Sequence, residues 1–263
     1  MKIVVCIKQV PDTTEVKLDP VKNTLIRDGV PSIINPDDKS GIELALQVKE
    51  AVPGSTITAV SMGPPQAEVA LREALAMGCD EALLLSDRAF GGADTWATSS
   101  TIAGALKKLG YDMIISGRQA IDGDTAQVGP QIAEHLGIPQ ISYCEELEVK
   151  EDKFLVKRQF EDRYHIIEIK PPCLFTTLSE KITPRYMSLP GMYNAYKKDI
   201  KTWGLNDIEA FLNVENIGLK GSPTRVKKSF TKQAKGKGIK VENLTPEEAA
   251  NTILAKLQEK YII

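Results

Sequence analysis

Residues 2–8, KIVVCIK, are an unbroken apolar run rich in valine and isoleucine. A strand with no polar face has nothing to offer water, so it must be covered on both sides. The chain therefore has to supply further strands to flank this one and helices to cover it.

The next segments read as that cover. VPD at 10–12 breaks the first run. After Asn35-Pro36, Ile42, Ala45, Leu46 and Lys49 recur at helical spacing over 37–51, and Pro53-Gly54 ends the helix. TITAVSM (56–62) is the second strand, and Gly63-Pro64-Pro65 turns it into a helix with Ala67, Ala70, Leu71, Ala74 and Leu75 on one face. Gly78 suits the position just past that helix. EALLLSD (81–87) is strand three. A helix from about Asp94 to Leu109 carries Ile102, Ala105, Leu106 and Leu109 and is closed by Gly110. DMIISG (112–117) is strand four, and a helix over about 126–136 ends at Gly137 and Pro139. Strands alternating with helices imply parallel pairing and right-handed crossovers. The fold class is thus α/β, a mainly parallel layered sheet with helices on both faces, whose ligand sites lie at the carboxyl ends of the strands.

After residue 145 the pattern changes. FLVKRQF (154–160), YHIIEIK (164–170) and CLFTTL (173–178) are short strands, the first two joined as a hairpin through Glu161-Asp162-Arg163. They either extend the same sheet or form a small sheet at its edge. Residues 181–244 are polar and loop-rich, with Lys227, Lys228, Lys232, Lys235, Lys237 and Lys240 around Gly236 and Gly238. These lysines are either a solvated arm or a segment that orders against a partner. Thr245-Pro246-Glu247-Glu248 is a capping box with proline at the first helical position. It starts a helix whose stripe of Ala249, Ile253, Leu254, Leu257 and Tyr261 needs a surface to cover.

The formal net charge of −2 gives no global reason to bind nucleic acid or an anionic membrane. No apolar run reaches the ~20 residues of a bilayer span, and no secretory leader precedes the first strand, so a cytoplasmic protein without membrane insertion is expected. The four cysteines are scattered, with no CxxC, and His135 and His165 stand apart, so no metal site is expected.

Three loops leave strand ends on one side of the inferred sheet: 8–12, Met62-Gly63-Pro64 and 117–129. Asn35-Pro36-Asp37-Asp38 opens the helix between the first two strands. The stretch QAIDGDTAQVGP (119–130) holds no P-loop lysine and no GxGxxG. Gly63, Gly123 and Gly129 permit close backbone approach. A helix starting near Ala126 would present free N–H groups to a phosphate, with Thr125 and Gln127 as further donors. Asp122 and Asp124 fit as helix caps, or as acceptors for ribose hydroxyls or ring N–H groups. The stretch reads as a nucleotide cradle and not as a hydrolytic centre. An ordinary capped turn, or an unrelated nucleotide-hydrolysing or stress-response domain of the same layering, stays open on spacing alone. The missing SGG-type pyrophosphate loop speaks against such a domain.

Together MKIVVCIKQVPD, INPDD, AVSMGP, ALAMGCDEALLL, SGRQAIDGDTAQVGPQIAEHLGIP, VKRQFEDRYHIIEIKPPCLFTT and PRYMSLPGMYNAYKK resemble, in order and along essentially the whole chain, the beta subunits of electron-transfer flavoproteins. Arg163 departs from the family's glycine-rich acidic cluster. The resemblance implies a heterodimer with an alpha subunit that carries FAD. It also implies an α/β domain over 1–180, a recognition loop and arm over 181–244, and a helix over 245–263 on the partner. Cys6, Asn35, Pro36, Asp37, Asp38, Met62, Gly63, Asp122, Gly123, Asp124, Thr125, Ala126, Gln127, Val128 and Gly129 would line the nucleotide site, Cys6 and Met62 through backbone groups. Arg118 and Arg163 would be either flavin-tuning cations or members of surface ion pairs. Leu189 would anchor an acyl-CoA dehydrogenase-type flavoprotein. In bifurcating members the beta site holds FAD, with NADH as donor and ferredoxin or flavodoxin as one acceptor; in simple carriers it holds AMP. The small residues of GDTAQVGP favour FAD.

Overall fold

The computed structural model describes residues 1–12, 31–227, 236, 238 and 240–263. Lys228, Lys232, Lys235 and Lys237 of the basic cluster lie outside them. The chain divides into two units, Met1–Lys227 and Lys228–Ile263.

The first unit begins with β1 (Lys2–Cys6), β2 (Gln9–Pro11), β3 (Ser32–Ile34), α1 (Pro36–Ala51), β4 (Thr56–Met62), α2 (Glu68–Met77) and β5 (Glu81–Leu85). It continues with α3 (Thr95–Leu109), β6 (Met113–Gly117), α4 (Val128–Leu136), β7 (Gln140–Lys150), β8 (Lys153–Gln159), β9 (Tyr164–Ile169) and β10 (Cys173–Thr177). Then come α5 (Leu189–Ala195), β11 (Lys201–Trp203) and the short turns α6 (Leu205–Ile208) and α7 (Gly218–Gly221). The second unit contains α8 (Pro246–Glu259).

Among the described residues nine strands form one sheet in the order β11-β5-β4-β1-β6-β10-β7-β8-β9. Pairing is parallel from β11 to β7 and antiparallel only in β7-β8-β9. The first strand sits near the middle, as its apolar run requires. Its side chains alternate: Ile3 and Val5 pack with Ile42 of α1 and Leu71 of α2, whereas Val4 and Cys6 pack with Ile102 of α3 and Ile132 of α4. Helices thus cover both faces.

Several expectations from sequence change in detail. VPD does not simply break the first run, because β2 pairs antiparallel with β3. CLFTTL is no edge strand: β10 inserts between β6 and β7. Only the hairpin of β8 and β9 extends the edge, its turn closed by Phe160 N–H donating to Arg163 O at 2.8 Å. In α8 the capping box forms, Thr245 Oγ1 accepting from Glu248 N–H at 3.3 Å and Glu248 Oε2 from Thr245 N–H at 2.9 Å. Ile253 and Leu254 on that helix are exposed.

Candidate functional site at the carboxyl ends of the central strands

From β1 the chain passes to β4 and β5 on one side, and β6 and β10 lie on the other. The crossovers therefore diverge between β1 and β6, which opens a crevice at their carboxyl ends. The Asn-Pro-Asp-Asp turn forms its floor. Asn35 is fully buried; its Nδ2 donates to Gln119 O at 2.8 Å and its Oδ1 accepts from Ile121 N–H at 3.0 Å. One side chain thus clamps the start of the 119–127 loop.

Asp38 ties the two central strands together. Its Oδ2 accepts from Lys8 N–H and its Oδ1 from Gly117 N–H, both at 2.8 Å. Asp37 is shared between Ser179 N–H, bonded to Oδ1 at 2.9 Å, and the Arg118 guanidinium 3.4 Å from Oδ2. Thr177 Oγ1 donates to the Asp37 carbonyl at 2.8 Å. These carboxylates hold the frame of the crevice. Lys8 Nζ reaches Asp122 Oδ1 at 2.6 Å, which pins the 121–123 turn over the end of β1.

Burial raises the Asp38 pKa from 3.8 to about 7, with Asp37 adding to the shift; the Lys8 and Gly117 N–H groups and Asn35 pull it down. The folded chain therefore keeps a proton that the unfolded chain releases above about pH 4. Stability falls as pH rises from about 4 to 7, by at most ~1.4 kcal/mol per unit from this group. We expect Asp38→Asn to gain stability relative to the parent across that window, read as urea midpoints at both ends. An unchanged difference between the two chains would show that Asp38 does not titrate there. Burial also pushes the Cys6 thiol up to about 12, so it is no nucleophile.

α4 begins at Val128, two residues later than the sequence suggests. Asp124 and Ala126 both adopt left-handed φ, +52° and +54°, which a helix cannot contain. Neither Asp122 nor Asp124 caps α4; the cap position is Gln127, without a side-chain cap bond. Asp122 is held by Lys8, and Asp124 accepts from Gln119 Nε2. Among the described residues nothing accepts from the N–H groups of 125–129. Alternation of left- and right-handed residues is the geometry that turns successive N–H groups toward one concave side. Gln127 Oε1 accepts from Thr95 Oγ1 at 2.9 Å, which fixes the turn to α3.

Three features escaped the sequence reading. Ser61 and Ser116 have buried hydroxyls without a hydrogen-bond partner among the described residues. Ser116 lies under the first turn of α4, where a Cβ on Gly129 would sit 2.6 Å from its Oγ. Thr177 carries the Asp37 contact. Each is a small hydroxyl residue ending an otherwise apolar strand (AVSM, IISG, LFTT), a signal the sequence did contain. Met62 and Gly63 stand at the end of β4, where Gly63 N–H donates to Leu85 O at 3.0 Å. The two flagged arginines are both ion-paired: Arg118 with Asp37, and Arg163 with Asp162 at 2.7 Å on the exposed hairpin. Leu189 begins the short helix α5 and is 78% exposed.

The strand order defines a doubly wound α/β protein with its switch point between β1 and β6. The chain belongs to the electron transfer flavoprotein family: the family model described as "Electron transfer flavoprotein domain" matches residues 22–208. It is 57% identical, over the full length of both chains, to the electron transfer flavoprotein subunit beta of Clostridium acetobutylicum. It is 53% identical to the caffeyl-CoA reductase-Etf complex subunit CarD of Acetobacterium woodii, and 48% to the acryloyl-CoA reductase electron transfer subunit gamma of Anaerotignum propionicum, again over the full length of both. The resemblance to beta subunits read from the motifs is thereby shown. Among the described residues no helix is long and apolar enough to cross a membrane, and no cluster of three or more His, Cys, Asp or Glu could hold a metal ion.

Proposed function

We propose that the chain is the beta subunit of a heterodimeric electron-bifurcating flavoprotein. In this reading it pairs with an FAD-carrying alpha subunit and holds a second FAD in the switch-point crevice. NADH is the electron donor; ferredoxin or flavodoxin and an acyl-CoA dehydrogenase-type flavoprotein are the acceptors. The observation that carries the reading is the stretch 125–129, whose N–H groups have no acceptor among the described residues and which leads into α4 beside the end of β6. Such a turn suits a phosphate oxygen. The fit extends to the rest of the crevice: Ser61 and Ser116 supply buried hydroxyls, and Lys8 is neutralised by Asp122. Two relatives named for complexes with acyl-CoA reductases support the same choice of partner.

When bound, FAD supplies exchange of an electron pair with NADH and release of single electrons to two acceptors. The chain's own residues bind and orient. Asn35 fixes the cradle loop, Asp38 locks the strand ends, and the N–H groups of 125–129 would receive the phosphates. Leu189, exposed at the start of α5, would seat on the dehydrogenase.

Cofactor extraction from the co-purified heterodimer is expected to give two FAD per dimer. One FAD with one AMP would overturn bifurcation in favour of a simple carrier. Leu189→Ala is expected to slow electron exchange with the dehydrogenase about tenfold while leaving flavin content unchanged. Unchanged kinetics would remove the anchor role.

A further inference from the structure

The segment bearing Leu189 exposes an unusual share of aromatic surface. Tyr186 is 98% exposed, and Tyr193 and Tyr196 stand out beside Leu189. A free loop of this kind would have to be ordered on every encounter, at an entropic cost. Here it is fixed at both ends by charged side chains outside the segment.

At the upstream end Arg185 grips α1. Its Nε donates to Glu43 Oε2 at 2.8 Å and its Nη2 to Glu43 Oε1 at 3.0 Å, a two-pronged fork on a buried carboxylate. Nη1 adds Glu50 Oε1 at 2.6 Å, and the Arg185 N–H itself donates to Glu43 Oε2 at 3.1 Å. Ser40 Oγ holds the Ile182 carbonyl at 2.7 Å. At the downstream end Arg72 of α2 donates from Nη1 to the carbonyls of Ala195 and Lys198, at 2.8 and 2.5 Å, while Glu68 orients the guanidinium at 2.8 Å. Lys198 Nζ returns to the carbonyls of Cys79 and Asp80 at 2.9 and 3.0 Å. Between these ends α5 approaches α2 so closely that a side chain at Gly191 would collide with the Ala76 carbonyl. A groove of about 600 Å³ remains between the two helices, lined by Pro65, Val69, Met187, Met192 and Tyr196.

We propose that Arg185 and Arg72 are positioning residues for partner recognition: they hold residues 186–196 in the docking conformation before the dehydrogenase arrives, so that Leu189 is presented preformed. The inference rests on the reading of Leu189 as the anchor. Arg185 touches neither the crevice nor the exposed tip, so its effect must pass through the segment it holds. Lysine cannot replace it, because a single ammonium cannot reproduce the fork.

The test uses the intact heterodimer and a purified acyl-CoA dehydrogenase from the same organism, with flavin bleaching by acyl-CoA followed at varied dehydrogenase concentration. Arg185→Ala and Arg185→Lys are each expected to raise the KM for the dehydrogenase about tenfold with kcat nearly unchanged and flavin content intact. In a Leu189→Ala background Arg185→Ala should add little, because the presented anchor is already gone. If Arg185→Ala does not fold, Arg72→Lys, which keeps a charge at α2, is expected to show the same KM effect. A Leu189→Ala effect without any effect of Arg185 or Arg72 variants overturns the positioning role alone. Additive losses overturn it too, and no effect of Leu189→Ala overturns the underlying anchor reading.

Discussion

Gly117→Ala is expected to destabilise the chain by about 2–3 kcal/mol and to strip the nucleotide from the heterodimer. A Cβ at this position would collide with Asp38 Oδ1 and lie 2.8 Å from both the Asp37 Cβ and the Asp38 backbone nitrogen. The first turn of α1 cannot retreat. Thr177 holds the Asp37 carbonyl, and Asp38 is bonded to the strand ends on both sides. Any relief must part β6 from α1, which opens the floor of the crevice. Gly236→Ala is the control, because a Cβ there meets nothing within 4 Å. Urea midpoints and extracted nucleotide, measured for both variants, check the expectation. Equal behaviour of the two would contradict it.

Asn35→Asp is expected to have the next largest effect. The replacement is isosteric, but it turns the donor facing the Gln119 carbonyl into an acceptor and places a charge at a fully buried position beside Asp38. A buried acceptor pair without a donor costs about 1–3 kcal/mol, more when one member is charged. That corresponds to a loss of roughly 10- to 100-fold in nucleotide affinity if the strain is released by detaching the 119–121 loop. Calorimetric titration of FAD into stripped heterodimer measures it. Acid pH should rescue the variant, since protonating the introduced carboxylate restores a donor. A variant that binds as tightly as the parent would mean that the loop does not depend on the clamp.

The halves of the fold differ in how well the sequence announced them. β1, β4, β5 and β6 are largely apolar runs set off by Gly, Pro or Asp, so their positions and parallel direction could be read, whereas the short β2 and β3 could not. β7 could not be read that way. ISYCEELEVK alternates polar and half-buried residues, and its ladder is broken by register shifts near Cys144 with Tyr143 at φ +60°. The insertion of β10 beside β6 joins residues about sixty apart in sequence, and no local pattern encodes a neighbour so distant. At the site, residue types marked Asn35 and the 122–129 turn. They did not show that Asp124 and Ala126 take left-handed φ, since neither is glycine, nor that both oxygens of Asp38 face backbone N–H groups. Side-chain direction in a buried turn follows from packing that only the assembled sheet defines.

The most direct test of a cofactor-holding crevice is the crystal structure of the intact heterodimer. Electron density is expected between the ends of β1 and β6, with an adenosine-bearing group whose phosphates meet the N–H groups of 125–129. A crevice closed by the chain's own side chains, with those N–H groups bonded inside the protein, would contradict it.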